Sequence, residues 1–128
     1  MNILEEKFKK KYTTALGHER AFVKFTSLKT LWFNTGTLCN ISCEDCYIES
    51  SPINNKLLYL NVKDVEKYLN QIKINNLPCD TIGITGGEPF MNKDIIPILN
   101  LCTKLNYNIL VLTNAMQPMI NKIKELIK

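Results

Sequence analysis

No apolar run in the chain approaches the roughly 20 residues that a membrane span needs. The opening stretch, Met1 to Tyr12, alternates charged and apolar side chains and has no unbroken hydrophobic segment of the kind a secretory signal carries. These absences point to a cytoplasmic protein, where disulfides are disfavoured, and five cysteines is an odd number that suits a disulfide scaffold poorly. Charge of one sign is also scarce. The net +4 is mild, and its lysines gather at the ends (Lys7, Lys9, Lys10 and Lys11, then Lys122, Lys124 and Lys128) and not along one basic stripe. Nucleic acid is therefore not an expected partner, and neither is a membrane. There is one histidine, His18, far in sequence from the cysteines, and no low-complexity stretch or internal sequence repeat.

Short apolar runs alternate with amphipathic ones along the 128 residues, a length that allows one modest core. Residues 3–16 read as an amphipathic helix with Ile3, Leu4, Phe8 and Tyr12 on one side, ended at Gly17. Ala21 to Phe25 reads as a short extended stretch. Leu31 to Thr35 is β-prone and predicts the first core strand, with Trp32 and Phe33 as core side chains. Asn61 caps a predicted helix whose apolar stripe is Val62, Val65, Leu69 and Ile72. Thr81 to Thr85 is a second strand, and a helix within Lys93 to Leu105 starts or kinks at Pro97. Asn108 to Thr113 is a third strand, and Pro118 suits the first turn of a last helix reaching Lys128. Apolar strands alternating with helices predict an α/β fold with a parallel sheet covered on its faces.

Between Gly36 and Asn61 there is little periodicity, and so long an irregular connection usually has a function. It contains CNISCEDCY, residues 39–47, with Cys39, Cys43 and Cys46 spaced C-x3-C-x2-C. Thiolates on one loop suit zinc or an iron–sulfur cluster. Structural zinc takes four protein ligands, and no fourth cysteine or histidine is near. A [4Fe–4S] cube held by three cysteines keeps one iron open for chemistry, unlike the four-cysteine ferredoxin patterns. Cys79 and Cys102 fit small buried hydrophobes. Asn114, just past the third strand, lies at the ligand-binding end of a parallel sheet and equally suits a turn.

The cysteine motif, with an aromatic after its third cysteine, resembles that of radical S-adenosylmethionine (SAM) enzymes, and GGEP (Gly86 to Pro89) after the second strand is similar to that family's second signature. The resemblance runs from Leu31 to Lys128. It implies parallel β/α units forming about half of a partial (β/α)6, TIM-like barrel, with residues 1–30 as an N-terminal extension. It implies that Cys39, Cys43 and Cys46 ligate a [4Fe–4S] cluster and that SAM chelates the open iron. Tyr47 would contribute its backbone near the adenine, while Gly86, Gly87, Glu88 and Pro89 form the turn that receives the SAM ammonium. The implied chemistry is reductive cleavage of SAM to a 5′-deoxyadenosyl radical that abstracts hydrogen from a substrate. An external one-electron donor of flavodoxin or ferredoxin type is then a partner. Three β/α units out of six read as a truncated core. That leaves two alternatives: a non-catalytic iron–sulfur or zinc-binding remnant, or one half of a split enzyme completed by a second chain.

The spacing carries a direct test. Alanine at Cys39, Cys43 or Cys46 is expected to abolish iron and acid-labile sulfide after anaerobic reconstitution, whereas alanine at Cys79 or Cys102 leaves both unchanged. Full cluster content in Cys43→Ala would contradict the reading.

Overall fold

The computed structural model describes residues 9–126. Strands β1 (Thr30–Asn34), β2 (Thr81–Thr85) and β3 (Asn108–Val111) form one sheet in sequential order. Both pairings are parallel, with Thr30 opposite Thr81 and Thr81 opposite Asn108. Helices α1 (Val62–Ile74), α2 (Ile95–Lys104) and α3 (Gln117–Leu126) alternate with the strands, and Pro89–Met91 forms one 3₁₀ turn after β2. Short parallel strands need helical crossovers to reverse direction, so this order and this pairing are two sides of one constraint.

The helix boundaries follow local chemistry. The Asn61 side-chain oxygen accepts the Asp64 N–H at 3.0 Å and starts α1. Asn76, at φ 50, and Asn106, at φ 62, take the left-handed conformation that closes α1 and α2. Each is followed by an N–H returning to the last helical turn, Leu77 to the Ile72 carbonyl and Tyr107 to the Cys102 carbonyl. Helix α2 starts at Ile95, which leaves Pro97 in the first turn, where its missing N–H costs nothing and no kink is needed.

Among the described residues the core lies on one face of the sheet. Phe33, Ile82 and Ile84 point toward Val65, Leu69 and Ile72 of α1 and Ile95, Ile98, Leu99 and Cys102 of α2. The expectation of a sheet covered on both faces is therefore corrected. Strand alternation sends Trp32, Leu110 and Leu112 to the opposite face, where they stay 45%, 47% and 51% exposed. Phe33 is core as expected, but Trp32 is not. Its ring lies over Gly83, where an added Cβ would come within 2.4 Å of it.

The helix expected over residues 3–16 lies outside the described residues up to Phe8, and it is absent from residue 9 onward. Instead Thr13 pairs antiparallel with Glu19 around a tight turn, with the Thr14 N–H on the His18 carbonyl at 2.7 Å and Gly17 at φ 84. The Thr14 hydroxyl accepts the His18 N–H, a local bond that competes with helix. Ala21 to Phe25 forms no strand, and Phe22, Val23 and Phe25 are exposed.

Asn92 ties the layers together from a position that is 1% exposed. Its amide donates to the Thr35 carbonyl at 3.0 Å and the Leu60 carbonyl at 2.9 Å, and its side-chain oxygen accepts the Asp94 N–H at 2.8 Å. Its own carbonyl accepts Lys122 Nζ of α3 at 2.8 Å. Replacement by alanine strands two carbonyls and an N–H, at about 1–3 kcal/mol for each group left buried. Asn92→Ala is expected to lower the urea midpoint by the equivalent of at least about 2 kcal/mol with an unchanged m-value.

Candidate metal and cofactor site

The C-terminal edge of the sheet is where parallel α/β folds place ligands, because the loops leaving each strand converge there. Here the pairing of β1 with β2 continues past both strands. The Thr35 N–H and hydroxyl both donate to the Thr85 carbonyl, at 2.8 and 3.0 Å. Gly87 N–H then donates to the Gly36 carbonyl at 2.9 Å, and Glu88 N–H to the Leu38 carbonyl at 3.0 Å. The GGEP turn is thereby zipped onto the chain that leads directly into Cys39.

Two glycines make this approach possible. Gly86 sits at φ 144, and a Cβ there would come within 2.6 Å of the Thr35 hydroxyl. A Cβ on Gly87 would come within 2.3 Å of the Leu38 carbonyl oxygen, a backbone atom that cannot swing away. The carbonyls of Gly86 and Gly87 accept no hydrogen bond among the described residues. They are acceptors without partners at the edge of the sheet.

The segment from Gly36 to Asn61 has no helix or strand, as its lack of periodicity predicts. Its cysteine turn is pinned at the base by a bridge from Leu38 to Ser51 and by the Cys39 N–H on the Ser51 carbonyl at 3.1 Å. Within it the Cys46 N–H closes a turn onto the Cys43 carbonyl at 3.3 Å. All three thiols are free; Cys39 is buried, Cys46 half-buried and Cys43 exposed. The Ser50 N–H donates to Cys46 Sγ at 3.3 Å. That bond, followed by the Ile48 N–H, holds the Cys46 thiol below its ordinary pKa and favours the thiolate that binds metal.

The loop brings the three cysteines to one edge but not to one point. Among the described residues no group of three His, Cys, Asp or Glu side chains is close enough to hold a metal ion. Three thiolates would repel each other without a cation between them, so a bound metal would have to draw them together. The donor set itself fits a soft metal centre, since the loop offers sulfur with free thiols and one already polarised. Cys79 lies away from this edge, its Sγ against the Thr81 carbonyl at the start of β2. Cys102 is buried in the core, and burial pushes its thiol up to about 11.

Glu88 is 1% exposed, and its carboxylate is held by the chain's own donors. Phe90 N–H reaches Oε1 at 3.0 Å, Asn114 N–H reaches Oε2 at 2.9 Å, and the Thr113 hydroxyl lies 2.9 Å from both oxygens. A buried carboxylate needs such donors to offset lost hydration. The side chain thus clamps the GGEP turn to the residues following β3. Pro89 begins the buried 3₁₀ turn that presents the Phe90 N–H to it. Tyr47 is 79% exposed beside the cysteine turn. Sequence reasoning singled out Asn114 without assigning it here, and missed Thr113 and Asn40. The Asn114 amide donates to Asn40 Oδ1 at 2.9 Å and lies 3.8 Å from Cys39 Sγ. The available signal was position: a Thr-Asn pair directly after a strand at the ligand end of the sheet.

The chain is similar in sequence and fold to known proteins. Over 78 residues the chain is 35% identical to the antilisterial bacteriocin subtilosin biosynthesis protein AlbA of Bacillus subtilis (strain 168), covering 60% of the chain and 16% of AlbA. A solved structure of Streptococcus suis SuiB bound to S-adenosylmethionine superposes with a TM-score of 0.63 at 25% identity, over 80% of this chain and 23% of that one. SuiB bound to the precursor peptide SuiA gives a TM-score of 0.63 at 26% identity, over 80% and 22%. The chain therefore spans less than a quarter of the length of these relatives. Members of the radical SAM superfamily use a [4Fe–4S] cluster and SAM, and their barrel is a partial TIM-like one. The family model for the Radical SAM superfamily matches residues 33–128, the cysteine loop and GGEP turn included, and the chain belongs to that superfamily.

Proposed function

We propose that this chain, through the core in residues 31–128, carries the cluster-binding loop and the SAM amino-group site of a cytoplasmic radical SAM enzyme. The observation that carries the reading is the pairing of Gly87 and Glu88 with Gly36 and Leu38, which sets the two signatures side by side. Cys39, Cys43 and Cys46 would hold three irons of the cluster. The partnerless carbonyls of Gly86 and Gly87 would accept from the SAM ammonium. Glu88, whose two oxygens already face donors from Phe90, Thr113 and Asn114, would add its negative charge near the same ammonium. The Tyr47 backbone would face the adenine. When bound, the cluster and SAM supply one-electron cleavage of a sulfonium C–S bond and a 5′-deoxyadenosyl radical that takes hydrogen from substrate. The electron comes from an external flavodoxin- or ferredoxin-type donor.

The binding of a precursor peptide by SuiB supports a peptide as the substrate class. The half-exposed sheet face bearing Trp32, Leu110 and Leu112 is apolar enough to line an active-site interior once further strands close it. Those strands would come from a longer protein or a second chain. The rival reading is a remnant that binds metal without turnover.

Two measurements separate these. Anaerobic reconstitution of the 128-residue chain is expected to give iron with acid-labile sulfide, and zinc without sulfide would defeat the cluster assignment. SAM is expected to bind weakly to this chain alone, because each hydrogen bond supplied by strands beyond β3 is worth about 1 kcal/mol, or about fivefold in affinity. Efficient 5′-deoxyadenosine formation by the short chain under reduction would show instead that three β/α units suffice. In a further test, Gly87→Ala forces the turn away from Leu38, at about 1–3 kcal/mol for overpacking. It is expected to weaken SAM binding at least about fivefold while iron content is retained, since the cysteine turn has its own anchor at Ser51.

A further inference from the structure

Asn114 stands where three segments meet. Its backbone N–H donates to Glu88 Oε2 at 2.9 Å. Its side-chain oxygen accepts the Met116 N–H at 3.1 Å. Its amide group donates to Asn40 Oδ1 at 2.9 Å and reaches Cys39 Sγ at 3.8 Å. These contacts fix which end of the amide is which. Turning it over would face the –NH₂ toward the Met116 N–H and the oxygen toward Asn40 Oδ1, two clashes of like groups. Ala115, at φ 58, makes the sharp turn that lets the Met116 N–H come back to Asn114. The amide protons are thereby aimed at the cysteine loop, one at Asn40 and one toward sulfur.

We propose that Asn114 is a positioning residue whose amide donates to the Cys39 sulfur and sets the reduction potential of the cluster. The inference rests on the reading of Cys39 as a cluster ligand. Adding an electron increases the negative charge shared by iron, sulfide and thiolate, so a donor to sulfur stabilises the reduced form more than the oxidised one and raises the potential. Cys39 is 6% exposed, and in such surroundings a hydrogen bond acts with less screening than in water. The Cys46 sulfur has a backbone donor, the Ser50 N–H. Among the described residues Cys43 Sγ has no donor at all. Asn114 is therefore the side chain through which this edge of the sheet adjusts the electron affinity of the centre, and it couples the adjustment to the GGEP turn through Glu88.

The test is an EPR-monitored redox titration of the reconstituted chain as wild type, Asn114→Ala, Asn114→Asp and Asn40→Asp. Asn114→Asp keeps the oxygen that accepts from Met116 and removes the donor to sulfur. Asn40→Asp adds the same charge nearby and keeps the donor. Asn114→Ala is expected to shift the reduction equilibrium toward the oxidised cluster by about threefold to tenfold, tenfold being 59 mV for one electron. Asn114→Asp is expected to shift it further than Asn40→Asp does. An unchanged potential in Asn114→Ala overturns the inference, as does an Asn114→Asp shift no larger than that of Asn40→Asp. Loss of the cluster from both Asn114 variants also overturns it, since Asn114 would then only hold the loop. If the wild type assembles no cluster, the cluster reading itself fails, and this inference with it.

Discussion

Two backbone hydrogen bonds, Gly87 N–H to the Gly36 carbonyl and Glu88 N–H to the Leu38 carbonyl, hold the candidate site together. They extend the parallel ladder beyond the strands and so convert strand register into site geometry. With Trp32 opposite Gly83 and Asn34 opposite Thr85, each residue further along one chain has a defined neighbour on the other. The cysteine loop therefore leaves the sheet at a fixed place relative to the turn. Any side chain at position 87 would push these backbones apart, which is why the signature needs glycine there on structural grounds alone.

A second layer of constraint comes from buried polar groups. Glu88 and Asn92 are each 1% exposed, and each is surrounded by partners drawn from separate segments. Glu88 gathers donors from its own turn and from the residues after β3, whereas Asn92 gathers the end of β1, the approach to α1 and the start of α2. A half-satisfied buried network costs more than an apolar one, so these side chains act as registration pins. Moving any one segment would strand a charge or a carbonyl. The consequence for the candidate site is an edge held in register by strands and buried polar groups.

The asymmetry of the sheet belongs to the same logic. One face carries Phe33, Ile82 and Ile84 under α1 and α2, while the other keeps Trp32, Leu110 and Leu112 half exposed. A sheet whose described helices all lie on one side is what a barrel wall looks like before closure.

Much of this was legible in the chain itself. The second strand falls at the expected residues, the first is offset by one, and Asn61, Pro97 and Pro118 mark helix starts because capping and fixed φ are local properties. The cysteine spacing and the glycine pair were likewise local, and they were sufficient to place a cysteine-bearing loop and a close-approach turn after successive strands. From residue 9 onward the expected N-terminal helix gives way to the Thr14–His18 turn, whose hydrogen bonds span four residues as a helical bond does and compete with it directly. The face to which Trp32 points, the burial of Glu88 and the meeting of Asn114 with Asn40 and Cys39 were decided only by tertiary structure. Asn114 and Cys39 are 75 residues apart, and no local propensity carries information across that separation. Strand register brings them together, and register is a property of the whole sheet.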